Sequence, residues 1–533
     1  MVICALPLVF ITHCSRAIDL NQLQKAFVVV CFNTGSSPPN ITVRISGPPS
    51  IDYAQLPNFT LKAESTTTGT GVSFLTFEGS FTYHTTCAYY NKKDKLGSYF
   101  VYFDNAADSI SSTKVQVTLE TDKMCDGYTA IPILNLGSEY YAVTFCEVFG
   151  ECQIFIVAID DALRITVRLP NTQNVHDVMF NSKAYGKGDT ITVDLGSMET
   201  VLIECECDLT GTKITADSNV AVFSGSRNTI VGVNGNENFL LEQLPPFNRW
   251  GTEYACPCKP YCNKHGAFIR VIAKEATIIH ISGYPKVKTT LNVPWIHRRI
   301  EQDDFLYITA DKPVLVVMFL LSDQKHTSSM FLIPPVKDQD NNMAFQYPTD
   351  RFNKMEMIVL SPKVDSGFLL NGAQVAVSQN FHFPSSHMLA SLLEFPTESR
   401  DRNIVIDMST GGFGVIGVST SDVVSGHTLR VGFSLGSFDM TDFNDPAPVY
   451  PGDRADNDED GTNDEDDCSD TEYPDDDVDC SNNFSAEKDE KGYRFFVVFP
   501  FLDTPTRFTV DIMSSDELQW TNIKKNHVGT CPS

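Results

Sequence analysis

The chain has 533 residues and 59.1 kDa, enough for three to four units of about 150 residues. Hydrophobic residues make up 42% and charged residues 20%, so most of the chain is expected to fold around apolar cores. A net charge of −27 argues against a nucleic-acid binder, which needs clustered Lys and Arg. The longest internal apolar run, Val314 to Leu321, is far short of the ~18 residues that cross a bilayer.

The chain opens with a mostly apolar stretch, Val2 to Thr12, followed by Ser15-Arg16-Ala17. Small residues at −3 and −1 predict a secretory signal over 1–17, cleaved after Ala17. Cleavage removes Cys4 and Cys14 and leaves thirteen of the fifteen cysteines, an odd number. Close spacing predicts the local pairs Cys146 with Cys152 and Cys468 with Cys480, and more loosely Cys31 with Cys87. Cys205, Cys207, Cys256, Cys258 and Cys262 form a dense set with open connectivity. Cys531 is the natural candidate for the odd thiol, and so for a disulfide-linked oligomer. Sequons at Asn40, Asn58 and Asn483 fit a secreted, extracellular glycoprotein.

After an N-terminal β region (18–100), a repeat region is expected over 101–445. Alternation dominates it: Lys114 to Leu119, Arg164 to Leu169 and Thr190 to Leu195 each place an apolar residue at every second position. Period two in Val, Ile and Thr, broken by Gly, Asn, Asp and Pro, predicts half-buried strands. One short helix is expected over His387 to Phe395.

Internal repeats sharpen the reading. Ile214-Thr215-Ala216-Asp217 recurs as Ile308-Thr309-Ala310-Asp311. Leu241 to Pro246 is echoed by Phe331 to Pro335, and Phe268 to Ile272 by Met355 to Val359. The period is about 90 residues. An upstream copy aligns Gly137 to Tyr140 with Gly251 to Tyr254, and a degraded copy ends near Ile406 to Val418. Each Asp-containing segment is expected to turn a hairpin, and each Pro-Pro to sit at a strand end or edge. The fold class is therefore all-β, with tandem β-sandwich-like repeats; the alternative is a β-propeller in which each repeat supplies two blades. Phe27 to Phe32 and Ile41 to Ile45 also resemble Phe495 to Phe499 and Phe508 to Ile512 at one constant offset, so a partial repeat is expected over 486–533.

An acidic linker is expected over 446–485. Residues 453–479 hold fifteen acids and one Arg. Asp456, Asp458 and Asp460 precede Gly461, with Asp464 and Asp467 at loop positions nine and twelve, an oxygen-rich set suited to Ca²⁺. Residues 456–480 resemble a thrombospondin type 3 repeat.

Catalytic patterns are weak. Gly432-Phe433-Ser434-Leu435-Gly436 fits G-x-S-x-G, but no helix is expected after it. A secreted hydrolase is therefore a remote alternative. Gly412 to Gly417 fits G-x-G-x-x-G without a βαβ unit. Cys256, Cys258 and Cys262 with His265 could hold zinc, but in an oxidising compartment disulfides are expected.

Three blocks, in order, carry a family resemblance. They are Asp208-Leu-Thr-Gly-Thr-Lys-Ile-Thr-Ala-Asp217 running on to Val220 to Gly225, then Leu240 to Pro246, then Trp250-Gly251. With them, residues of about 100 to 440 resemble the N-terminal domain of IgGFc-binding proteins. The resemblance implies a secreted, mucosal or surface-coating protein that binds other macromolecules. With the weak catalytic patterns and the repeats, the expected protein is not an enzyme and binds an extracellular protein or glycan by multivalent contact. A structural mucus or matrix component cross-linked by disulfides is the alternative. Larger relatives add cysteine-rich von Willebrand factor D modules, for which this chain has too few cysteines. The Fc ligand itself maps onto no residue of this sequence.

Overall fold

The computed structural model describes the strands within residues 27–436, most connections within 114–436, and short strand segments within 488–522. Ile18–Phe443 form one compact body, which is the subject below.

The body contains four copies of one strand plan. The first comprises β1 (Phe27–Phe32), β2 (Asn40–Gly47), β3 (Ala54–Gln55), β4 (Ser73–Ser80), β5 (Leu96–Phe103), β6 (Lys114–Glu120) and β7 (Cys125–Ala130). The second comprises β8 (Gly137–Tyr141), β9 (Gly150–Ala158), β10 (Leu163–Arg168), β11 (Thr190–Leu195), β12 (Thr200–Cys205), β13 (Lys213–Thr229) and β14 (Asn238–Leu244). The third comprises β15 (Gly251–Pro257), β16 (Ala267–Ala273), β17 (Ile278–Ile281), β18 (Val287–Lys288), β19 (Trp295–Ile300), β20 (Phe305–Leu320) and β21 (Ser329–Leu332). The fourth comprises β22 (Asn342–Gln346), β23 (Phe352–Pro362), β24 (Phe368–Leu370), β25 (Ala373–Gln374), β26 (Met388–Glu394), β27 (Asn403–Met408), β28 (Gly414–Val424) and β29 (His427–Leu435).

In the second and third copies one long strand joins two sheets. The first half of β13 pairs with β8 and β10, and its second half with β9 and β14. The strand β20 does the same with β15 and β17, then with β16 and β21. In the fourth copy the long strand is split. There β27 pairs with β22 and β24, whereas β28 pairs with β23 and β29. The first copy is split likewise, with β5 between β1 and β3, and β6 between β2 and β7. Each repeat is thus sandwich-like, its two sheets bridged by one strand or by two consecutive ones.

Two local expectations are corrected. The Asp-containing segments do not turn hairpins. Asp217-Ser218-Asn219 and Asp311-Lys312-Pro313 lie inside β13 and β20, where the chain leaves one set of partners for another. Their polar character marks the half-exposed crossing between sheets. The helix expected over His387 to Phe395 is the strand β26. Met388, Ala390 and Leu392 enter one core cluster and Leu393 enters another, so the segment is apolar on both faces of a buried sheet. A short apolar run cannot be assigned by period alone.

The second copy is longer because a hairpin, Val178–Phe180 with Lys183–Tyr185, is inserted between β10 and β11. Asn181 and Ser182 carry it round with φ of 49° and 63°, as a two-residue turn between twisted strands requires. Pro245-Pro246 directly follows β14, and Pro334-Pro335 follows β21 after Ile333, so both pairs sit at strand ends. A Cβ on Gly137 would lie 2.8 Å from Pro246, and one on Gly251 would lie 2.4 Å from Pro335. The closing prolines therefore pack on each copy's opening glycine. Beside them, the Tyr140 hydroxyl accepts from the Gly137 N–H (2.9 Å) and donates to the Val220 carbonyl (2.7 Å). Tyr254 repeats this arrangement with Gly251 and Val314.

Candidate functional site

The last strands of the four copies meet. β7 neighbours β14 and β29, and β21 neighbours β14 and β29, so the four close a ring around a common axis. Polar side chains stitch the ring together. The Asn238 side-chain oxygen accepts from the Cys125 N–H (3.0 Å), and its amide donates to the carbonyls of Cys125 and Ser328 (2.7 Å each). Gln243 accepts from the Ile131 N–H at 2.9 Å. Asp126 accepts from the Ser329 hydroxyl (2.8 Å) and from the backbone N–H of Leu241 (3.1 Å) and Met330 (3.4 Å). Glu242 accepts from the Leu332 N–H at 3.3 Å. The fourth copy closes the circuit. Gly432 N–H donates to the Ser329 hydroxyl (2.8 Å), the Thr129 hydroxyl to the Ser434 carbonyl (3.0 Å), and buried Arg430 to the Thr327 carbonyl (2.8 Å).

Two carboxyls are sealed in this axis. Burial drives Asp126 well above the usual carboxylate range, against the hydrogen bonds it accepts. Burial also raises Glu242, and the nearby Asp126 charge raises it further. Desolvation lowers Arg430 to about 10, which leaves it charged at neutral pH.

A second polar cluster clamps the second copy to the third. Arg270, in β16, is fully buried. Its guanidinium pairs with Asp208 at 2.6 Å and donates to the Thr210 hydroxyl (2.7 Å), the Thr144 carbonyl and His297 Nδ1 (3.2 Å). Its carbon centre lies 4.9 Å from the Phe145 and Trp295 rings and 5.6 Å from Phe319. Asp208 also accepts from Thr144, Thr210 N–H and the Thr210 hydroxyl (2.8, 3.0 and 2.6 Å). His297 packs on Phe268 with centroids 4.4 Å apart; burial, then the Arg270 charge, lowers its pKa to about 4. At the rim, Lys274 reaches across to Glu139 at 2.6 Å, beside Lys213 at 2.8 Å. Burial alone would raise Glu139, but these two ammonium groups pull it below its usual value.

These clusters explain the sequence blocks singled out above. Asp208 and Thr210 begin the first block and hold Arg270. Glu242 and Gln243 lie in the second and line the axis. Trp250, in the third, is buried against Tyr141 and Phe247. The blocks are joints between repeats. Arg270, Asp126, Asn238 and Arg430 went unremarked in the sequence. Their only signal there is a polar residue inside a strand of apolar neighbours, as in Phe268-Ile269-Arg270-Val271-Ile272.

Among the described residues the disulfides are Cys146–Cys152, Cys205–Cys207 and Cys258–Cys262; Cys125 and Cys256 are buried thiols outside them, Cys125 donating to the Arg430 carbonyl at 3.3 Å. The Cys256 thiol is pushed up by burial. With Cys258 and Cys262 bonded to each other, and His265 outside the described residues, the zinc alternative has no support. Among the described residues no group of three or more His, Cys, Asp or Glu is placed to hold a metal. Ser434 lies within β29, opposite Ile416, a strand interior and not a strand-to-helix elbow. Gly414 and Gly417 likewise lie in β28, paired with β23 and β29. Asn40 opens β2, opposite Ser80 and Glu120. Asn58, Asn483, Asp456, Asp458, Asp460, Asp464, Asp467, Cys468, Cys480 and Cys531 lie outside the described residues, as do the side chains of Cys31 and Cys87. Among the described residues no helix is long and apolar enough to cross a membrane.

The fold and its joints define a repeat protein with a solid, cross-stitched centre. Its recognised blocks serve assembly of the array. A family model described as IgGFc binding protein matches residues 126–417, more than half of the chain. The chain belongs to the IgGFc-binding protein family. Human (Homo sapiens) IgGFc-binding protein is 31% identical over 148 residues, which are 27% of this chain and 3% of that relative. Among solved structures, one titled "Ca2+-stabilized adhesin helps an Antarctic bacterium reach out and bind ice" is 10% identical and covers 78% of this chain and 94% of that one. The TM-score is 0.10.

Proposed function

We propose that the protein is a secreted, non-catalytic binder of extracellular macromolecules, of the mucosal, surface-coat or innate-defence type. The observation that carries this reading is the fourfold strand plan in a chain of the IgGFc-binding family. Repeated copies present similar surfaces on one rigid body, and several weak contacts then combine into avidity. Three intrachain disulfides fit an oxidising compartment, and so support secretion through the leader at 1–17. The partner is an extracellular protein or glycan. The printed name of the human relative makes the Fc of IgG the first to try. The acidic segment, through Asp456, Asp458, Asp460, Asp464 and Asp467, is a Ca²⁺ site of the weak extracellular kind, with affinity on the order of millimolar.

The test is affinity capture. Tagged protein is incubated with mucus or body fluid, and separately with IgG Fc, in Ca²⁺, then eluted with EDTA. A partner released by EDTA supports recognition through the acidic segment. A partner retained through EDTA places binding on the β repeats. The absence of any partner overturns the reading and favours a structural matrix component.

A further inference from the structure

The four cysteines of the second copy lie closer to one another than their bonding suggests. Cys152 in β9 and Cys205 in β12 are direct cross-strand partners. Side chains directly opposite in an antiparallel pair share a face, with Cβ atoms about 4.5–5.5 Å apart. Yet each is bonded to a cysteine nearby in sequence, Cys152 to Cys146 and Cys205 to Cys207.

The segments that carry the two outer cysteines also run side by side. The segment after β8 runs beside the segment after β12. Gly211 N–H donates to the Ala142 carbonyl (2.9 Å), and Ala142 N–H to the Thr212 carbonyl (2.9 Å). Two residues on, Thr144 meets Asp208, Leu209 and Thr210. Extended two residues further, the same antiparallel progression would set Cys146 opposite Cys207. On the other side of Cys152, its cross-strand partner Ser226 has its hydroxyl 3.4 Å from Cys146 Sγ.

We propose that these four cysteines form a thiol–disulfide exchange site with two self-consistent pairings, the local one and a cross-strand one, Cys152–Cys205 with Cys146–Cys207. A small external thiolate starts the exchange. It attacks Cys146 Sγ, breaks the Cys146–Cys152 bond and releases the Cys152 thiolate. Cys152 attacks Cys205, forms Cys152–Cys205 and releases the Cys207 thiolate. Cys207 attacks the mixed disulfide at Cys146, forms Cys146–Cys207 and returns the external thiolate. Bonds and electrons balance, and the thiol is catalytic. Cys146, the one partly exposed member, sits at the solvent side.

The exchange bears on the joint described above. In the local pairing, Cys207 holds the segment carrying Asp208 and Thr210 to the end of β12. In the cross-strand pairing, that segment is fastened to the segment carrying Thr144. Both segments contact Arg270 of the third copy, so the pairing sets how tightly the second copy grips the third.

Tryptic mapping separates the two states. Cys146 and Cys152 share the peptide Met124–Arg164, and Cys205 and Cys207 share Gly188–Lys213. The local pairing leaves these peptides unlinked; the cross-strand pairing joins them. The full chain is held in reduced and oxidised glutathione, acid-quenched, alkylated, digested and analysed by mass spectrometry. The expected result is a rise of roughly tenfold or more in the joined peptides over protein kept without thiol. The double variant Cys146→Ser with Cys207→Ser is expected to join the peptides through Cys152–Cys205. Peptides that stay unlinked at every glutathione ratio overturn the proposal. So does the double variant, folded by circular dichroism, with Cys152 and Cys205 both alkylated.

Discussion

Replacing Arg270 by Met keeps most of the side chain's apolar stem and removes the guanidinium. The structure sets the size of the loss. The pair with Asp208 is 2.6 Å long, with side-chain exposures of 0% and 12%. Breaking a buried pair by removing one partner costs about 3–5 kcal/mol. Asp208 keeps its bonds from Thr144 and Thr210, which places Arg270→Met at the lower end, about 3 kcal/mol. Asp208→Ala is worse, because it takes the carboxylate away from a fully buried guanidinium. Trp250 and Trp295 flank this joint, so tryptophan emission during thermal unfolding reports on it directly. If the second and third copies unfold together, a loss of about 3 kcal/mol lowers their midpoint by about 6–12 °C. A loss under about 1 kcal/mol, the value of an exposed pair, or an Asp208→Ala variant milder than Arg270→Met, would refute the reasoning.

The buried carboxyls predict a pH dependence. Asp126 and Glu242 have folded pKa values raised above their unfolded values near 4. Their stabilising contribution is full below pH ~4 and is lost as pH rises toward the folded values. Thermal melts at mildly acidic and mildly alkaline pH should therefore favour acid, and Asp126→Asn should flatten the difference; an unchanged slope contradicts this. His297 acts in the opposite sense. Its lowered pKa removes stability as pH falls from ~6.5 toward about 4, so His297→Phe should protect the acid side of the same melts. Gly225→Ala puts a Cβ 1.9 Å from the Leu240 carbonyl oxygen and should cost ~3 kcal/mol by prising β14 from β13, visible as a lower urea midpoint; a neutral effect contradicts the close approach. Cys531→Ser tests the cross-linked matrix alternative: a dimer on non-reducing gels that the variant abolishes would support it, and a monomer in both would remove it.

Much of the array was legible because repetition is a long-range signal. Matching Gly137 to Tyr140 with Gly251 to Tyr254, and Ile214 to Asp217 with Ile308 to Asp311, aligns residues that form equivalent ladders in the two copies. Tyr140 pairs with Ile214, as Tyr254 does with Ile308. The crossing strands were misread because Asp-Ser-Asn and Asp-Lys-Pro carry turn chemistry; tertiary pairing on both sides overrode it. Arg270 and Asp126 were illegible for a different reason. Each completes its hydrogen bonds in another repeat, at sequence distances of 60 and 203 residues for Thr210 and Ser329, so the lone polar residue in each strand gives no local sign of its partners.

The measurement that bears most directly on the central claim is the dependence of binding on ligand density. The captured partner is immobilised sparsely and densely, and the intact protein is passed over both. Recognition through repeated copies predicts dissociation slower by roughly 10²-fold on the dense surface. Identical dissociation at both densities would mean a single site, and would contradict the account of the array as a multivalent binder.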